Sequence, residues 1–274
     1  MNKLKLTVLT AALLASMSTA HAHRQWLLPS ATQVDGKEPW VTVDAAVSED
    51  VFEISANSLK LDGLVITAPD GKAVAPEQTV TSKQRASADL KLTQSGTYRI
   101  ALVSENAMAS YKLNGENKRW RGNAVDLKKE IPAAAEEVTV STTTGRLETY
   151  VTNGKPSKGA IKPVGTGLEL LPLDPPTEYF AGQPARFRFL LDGKPVANLK
   201  VAVVPGGVRY RGVLKETLAT TDANGEFTVN WSMPQMYWIN ASYPPRVEVP
   251  EGQPRPPMPA KRYNYGGTFE VLPQ

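Results

Sequence analysis

From Trp40 to the end of the chain, apolar and polar residues alternate in short runs, each closed by a turn rich in Gly, Pro, Asp or Asn. Trp40-Val41-Thr42-Val43-Asp44-Ala45-Ala46-Val47 shows the pattern, and so does Leu59-Lys60-Leu61-Asp62-Gly63-Leu64-Val65-Ile66-Thr67, which Ala68-Pro69-Asp70-Gly71-Lys72 closes. Successive side chains of a strand point to opposite faces, so a period of two marks a half-buried strand. Convincing 3.6-residue periodicity is missing, and helices are expected to be few and short. The 22 prolines and 20 glycines are scattered, as turn residues are between many short strands. An antiparallel β-sandwich is the architecture this spacing favours.

Two such units fit along the chain. In the first, Asp89-Leu90-Lys91-Leu92-Thr93 runs through Gln94-Ser95-Gly96 into a strand over Thr97 to Val103. Residues 105–165 read as less regular: an alanine cluster at Ala133 to Ala135, then Val138-Thr139-Val140, then a helix or strand over Arg146 to Val151. The basic cluster Lys118-Arg119-Trp120-Arg121 reads as a solvated turn with an aromatic anchor. Asn153-Gly154-Lys155-Pro156-Ser157-Lys158-Gly159 reads as an exposed connection, which sets a domain boundary near Gly165. Beyond it, Ala185 to Leu191 is a strand with outward arginines, and Asp192-Gly193-Lys194-Pro195 is a hairpin-type turn. Val201 to Val204, Thr221 to Trp231, Tyr237 to Tyr243 and Tyr265 to Val271 complete a second sandwich. The proline-rich stretch Pro244 to Pro259 cannot join a central strand. The expected fold is all-β: two Ig-like or transthyretin-like sandwiches in tandem, over residues 23–165 and 166–274.

Residues 1–22 are set apart from this pattern. Asn2-Lys3-Leu4-Lys5 is basic, Leu6 to Ala15 is apolar, and Ser18-Thr19-Ala20-His21-Ala22 is a small-residue segment, the three-part layout of a secretory signal peptide. The apolar run is shorter than the roughly 20 residues that span a bilayer, and no later stretch is long or apolar enough to do so. Cleavage after Ala22 leaves His23 first in an exported, periplasmic chain. The formal charge of +4 then falls to about +2 with the loss of Lys3 and Lys5. No clustered basic stripe points to nucleic acid. Cysteine is absent, so disulfides are excluded and stability must come from burial.

The search for catalytic residues is short. His21 and His23 are the only histidines, and without cysteine or a second mature histidine no Cys/His or Ser/His/Asp nucleophile site can form. Phosphate loops and dinucleotide fingerprints are missing too. An enzyme is therefore not expected. His23 carries different chemistry: as a first residue it offers a free α-amino nitrogen and an imidazole that close a chelate ring on one divalent ion such as nickel, cobalt or copper. Both donors must be unprotonated, and the α-amino group titrates ordinarily at roughly 7.7–8.0, so binding weakens as pH falls below neutral. Cleavage after Ala20 instead starts the chain His21-Ala22-His23, whose amine, two backbone amides and third-position imidazole suit square-planar copper(II) or nickel(II). Methionines 233 and 236 in Ser232-Met233-Pro234-Gln235-Met236-Tyr237-Trp238 offer two thioethers for copper(I), or else fill a core. Trp26 is expected to pack with Leu27 and Leu28 on the first sandwich and so fix the terminus.

His23-x-x-Trp26-Leu27-x-Pro29 directly after a signal peptide resembles a periplasmic family of domain-of-unknown-function proteins linked to nickel and cobalt uptake (NikM-like). Gly167-Leu168-Glu169-Leu170-Leu171-Pro172-Leu173-Asp174-Pro175, Asp192-Gly193-Lys194-Pro195-Val196 and Thr221-Asp222-Ala223-Asn224-Gly225-Glu226-Phe227 are similar to that family's second half. The resemblance implies a periplasmic metal binder that serves a membrane transporter. Two other readings stay open. One is a metal-independent protein–protein or carbohydrate-binding accessory module using Tyr210, Trp238, Tyr243, Tyr263 and Tyr265; the other is an oxidative copper enzyme, which usually recruits a second imidazole that this chain lacks.

Overall fold

The computed structural model describes the chain except residues 1–22, 54–56, 246, 248, 250–252 and 254–255. The first strands are β1 (Arg24–Pro29), β2 (Gln33–Val34), β3 (Trp40–Ser48), β4 (Asn57–Ser58), β5 (Leu64–Thr67), β6 (Ala73–Val74), β7 (Gln78–Thr81) and β8 (Ala86–Lys91). Three long ones follow: β9 (Gly96–Leu113), β10 (Glu116–Asn123) and β11 (Glu136–Asn153). The rest are β12 (Leu168–Pro172), β13 (Tyr179–Phe180), β14 (Pro184–Leu191), β15 (Lys194–Pro195), β16 (Lys200–Pro205), β17 (Thr217–Thr220), β18 (Glu226–Asn230), β19 (Gln235–Tyr243) and β20 (Lys261–Leu272). Helix is confined, among the described residues, to a 3-10 turn at Ala124–Asp126 and single turns at Leu127–Glu130 and Val208–Arg211. The all-β expectation holds.

The strands form three sheets. One outer sheet is ordered β1-β3-β8-β7 with β4 beside β3; the other is β12-β14-β15 with β18 beside β14. Between them runs an 11-stranded sheet, β17-β16-β19-β20-β11-β9-β5-β6, in which β11 and β20 pair in parallel. The two sandwiches therefore share one sheet, and β11 belongs to both. Its alternation explains how. Leu147 and Val151 point into a core with Ile66, Tyr98, Ile100 and Leu102 of the central sheet and Leu27, Val41, Val43 and Leu90 of the first outer sheet. Tyr150 points the opposite way, into a core with Phe187, Phe189, Phe227, Ile239, Tyr265 and Phe269. Period two places two cores on opposite faces of one strand.

Each sandwich also carries a tyrosine whose hydroxyl turns back on the backbone four residues earlier. Tyr98 Oη accepts from Gln94 N at 2.7 Å, and Tyr237 Oη donates to Met233 O at 3.0 Å while accepting from Met233 N at 3.2 Å. This tyrosine corner is a hallmark of Ig-like sandwiches. The turn Asp192-Gly193 has φ of 50° and 75°, the positive pair that a two-residue hairpin requires, and it joins Leu191 to Lys194 across β14 and β15.

Three details depart from expectation. Residues 105–153 are largely regular: β9 and β11 are 18 residues each, and the outer end of β9 pairs with β11 on one side and with β10 on the other to form a three-stranded wing. The segment looked irregular because most of the wing is exposed and its few buried positions, Ala107, Ala109 and Ser141, are small residues that give little hydrophobic alternation. Lys118 to Arg121 accordingly lie in β10, with Trp120 Nε1 donating to Glu130 at 2.6 Å, and the turn is at Asn114-Gly115. Trp26 does not join the first core. Leu27 does, and alternation sends Trp26 the other way, into a small cluster with Ala46, Val51, Val204 and Trp238 where the two halves of the molecule meet.

Candidate functional site

His23 is exposed at the head of β1, the edge strand of its sheet. Pro29, at the far end of β1, lacks an N–H and suits an edge position. β1 lies over β11 and β20, held by Trp238 Nε1 donating to Gln25 O at 3.0 Å. Gly266 permits the approach: a Cβ there would sit 2.8 Å from Leu147 Cδ2 and 3.2 Å from Trp238 Nε1. His21 lies outside the described residues.

Beyond the start of β1 the same face of the central sheet is uncovered, and it forms a groove of about 710 Å³ that His23 helps to line. Its floor follows from register. Ser104 and Asn106 on β9 face Gly145 and Thr143 on β11; Gly145 faces Asn264 on β20, and Asn264 faces Ser242 on β19. These positions share one face across four strands, so polar residues that are scattered in sequence line a single surface. Ser242 Oγ donates to Asn264 Oδ1 at 2.8 Å and Asn240 Nδ2 donates to Tyr265 O at 2.6 Å, which leaves the Asn264 amide N–H groups and the Asn240 carbonyl for other partners. Arg24, Arg121, Arg146 and Arg262 also line the groove, against one carboxylate, Glu216. Met108 lines it too.

The opposite face of the same strands holds a buried polar cluster, one member of which, Arg146, also borders the groove. The carboxylate of Glu148, 1% exposed, accepts from Arg146 at 2.8 Å, from the Tyr265 hydroxyl at 3.0 Å and from the Tyr150 hydroxyl at 3.4 Å. Arg99 approaches the carboxylate at 4.0 Å. Burial, and then the Glu148 charge, push the phenols of Tyr150 and Tyr265 well above the ordinary range. For Arg146, burial opposes the charge, but the Glu148 carboxylate outweighs it and the guanidinium is held charged.

Other expected site residues are distributed differently. Met233 and Met236 do not line the groove; Met233 serves the Tyr237 corner and Met236 O accepts from Gly206 N. Met108 does, a residue that sequence reasoning passed over because nothing in a single chain links the middle of β9 to the head of β1. Of the aromatic residues suggested for partner contact, Tyr210 is 91% exposed, Trp238 and Tyr265 are buried, and Tyr243 and Tyr263 pack against the second core. Among the described residues no three His, Cys, Asp or Glu side chains gather as a metal cluster, and no helix is long and apolar enough to cross a membrane.

Among curated proteins, none matches this chain. Solved structures that the chain matches include the D0-D1 domain of intimin, at 13% identity and a TM-score of 0.23, over 90% of this chain and 97% of that one. An ICAM-5 D1-D4 ectodomain fragment follows at 9% identity and a TM-score of 0.20, over 91% and 51% of the two chains. Escherichia coli alpha-2-macroglobulin activated by porcine elastase is 8% identical with a TM-score of 0.23, over 92% and 31%. Likeness at this level says nothing about ligands, and the nickel and cobalt association implied by the N-terminal element has no counterpart in these comparisons. Residues 20–244 match one family model, and the chain belongs to that family, described as a domain of unknown function (DUF4198).

Proposed function

We propose that this chain is an exported, periplasmic transition-metal binding or delivery protein for nickel, cobalt or copper. Removal of residues 1–22 frees the α-amine of His23, and amine and imidazole together form the anchor chelate. The single observation supporting the reading is that His23 and Met108 line one groove of about 710 Å³. Imidazole suits all three metals, and a thioether adds preference for copper(I). A two-donor terminus leaves coordination positions open, as delivery to a membrane transporter requires.

Native mass spectrometry of protein purified from the periplasm, with each metal offered at micromolar concentration, tests this. The expected result is a chain starting at His23 with one ion bound, lost in His23→Ala and lost when a residue is added ahead of His23. Unchanged metal affinity in either variant would refute the terminal chelate.

A further inference from the structure

We infer that the groove takes its metal as an anionic chelate with a small hydroxypolycarboxylate, and that its arginines and asparagines bind the organic part. The inference rests on the metal reading above and specifies the form of the cargo. The charge of the lining is the starting point. Arg24, Arg121, Arg146 and Arg262 face one carboxylate, Glu216, and Glu148 neutralises only Arg146. Among the described residues Arg24, Arg121 and Arg262 have no ion-pair partner. Three guanidinium groups set against the single Glu216 carboxylate leave the lining net positive, which repels a bare divalent cation and attracts an anion of two or three carboxylates, whose planar oxygen pairs match the guanidinium fork.

The neutral lining fits the same ligand. The free N–H groups of Asn264, the free carbonyl of Asn240 and the hydroxyl of Ser242 lie on neighbouring strands, an arrangement that can recognise a hydroxyl together with a carboxylate. The volume of about 710 Å³ is within the range of small-molecule sites and far exceeds a bare ion. Such a ligand leaves part of the metal's coordination sphere to water, and the amine and imidazole of His23 would take the place of two of those waters while the arginines and asparagines hold the carboxylates.

Isothermal titration calorimetry on periplasm-purified protein starting at His23 tests the inference with three probes: nickel alone, citrate alone, and preformed nickel citrate. Nickel citrate is expected to bind at least tenfold more tightly than either component. Arg262→Gln, and separately the exposed Arg121→Gln, are expected to weaken nickel citrate at least tenfold, with circular dichroism melts confirming that each variant is folded. Should nickel alone bind as tightly as the complex, with both arginine variants indifferent, the chelate inference is overturned and the terminal metal site stands. Citrate binding equally with and without nickel, and unaffected by His23→Ala, would overturn both. So would the absence of any heat with all three probes.

Discussion

Strands β11 and β20 carry polar side chains on both faces, and the two faces treat them in opposite ways. Toward the second core, Glu148 has Arg146, Tyr265 and Tyr150 around it, all buried. Toward the groove, Asn264, Ser242, Asn106 and Arg262 stand half-buried or exposed with donors and acceptors left over. A polar group removed from water must find its partners inside the protein, whereas one at a wet surface can wait for a ligand. The closed cluster is thus a structural element of the shared sheet, and the open face is where binding chemistry remains available.

The sharpest way to break that contrast is Glu148→Gln. Removing one member of a buried ion pair leaves the other charge uncompensated and typically costs about 3–5 kcal/mol. Urea unfolding should show a loss of that order for Glu148→Gln. A loss under about 1 kcal/mol would mean that water already reaches Arg146 and that the two faces are not distinct.

The second test uses pH. Buried Tyr265 holds its proton well above the ordinary phenol pKa of about 10, first through burial and then through the Glu148 charge. Above pH 10 the unfolded chain ionises this phenol before the folded chain does, so stability falls as pH rises, by up to about 1.4 kcal/mol per unit for each such group. Below pH 9 the same group contributes no slope. Thermal melts between pH 8 and 11 should therefore decline at the alkaline end, and Tyr265→Phe should flatten the decline even though it loses a hydrogen bond at neutral pH. An unchanged slope in Tyr265→Phe would place the alkaline sensitivity elsewhere.

Much of the fold was legible because alternation records burial. Trp40 to Val47, Ala185 to Leu191 and Tyr237 to Tyr243 all lie in strands, and Asp192-Gly193 is the turn its composition announced. The wing was not legible, since its buried positions, Ala107, Ala109 and Ser141, are too small to display a clear apolar period. The sharing of one sheet was also hidden. Leu147 and Tyr150 are both simply buried apolar residues in sequence, and only pairing partners show that they enter different cores. The groove was harder still. His23 drew notice through its position after a cleavage motif, but Met108, Asn240, Asn264 and Arg262 acquire meaning only through the register that aligns β9, β11, β20 and β19.

The smallest expected stability change is on the open face, and it sharpens the comparison most cleanly. Asn264 is half-buried and accepts one hydrogen bond, from Ser242 at 2.8 Å. Asn264→Ala therefore leaves only a hydroxyl to re-solvate at a wet surface, and its unfolding free energy should stay within about 0.5 kcal/mol of the parent chain. Affinity for nickel citrate should fall nonetheless, because the amide N–H groups proposed to meet the ligand are gone. Paired measurements of the urea midpoint and of binding separate the two roles. A loss near 2 kcal/mol would mean that Asn264 is as structurally committed as Glu148, and that both faces of the shared sheet are built for stability rather than one for stability and one for a ligand.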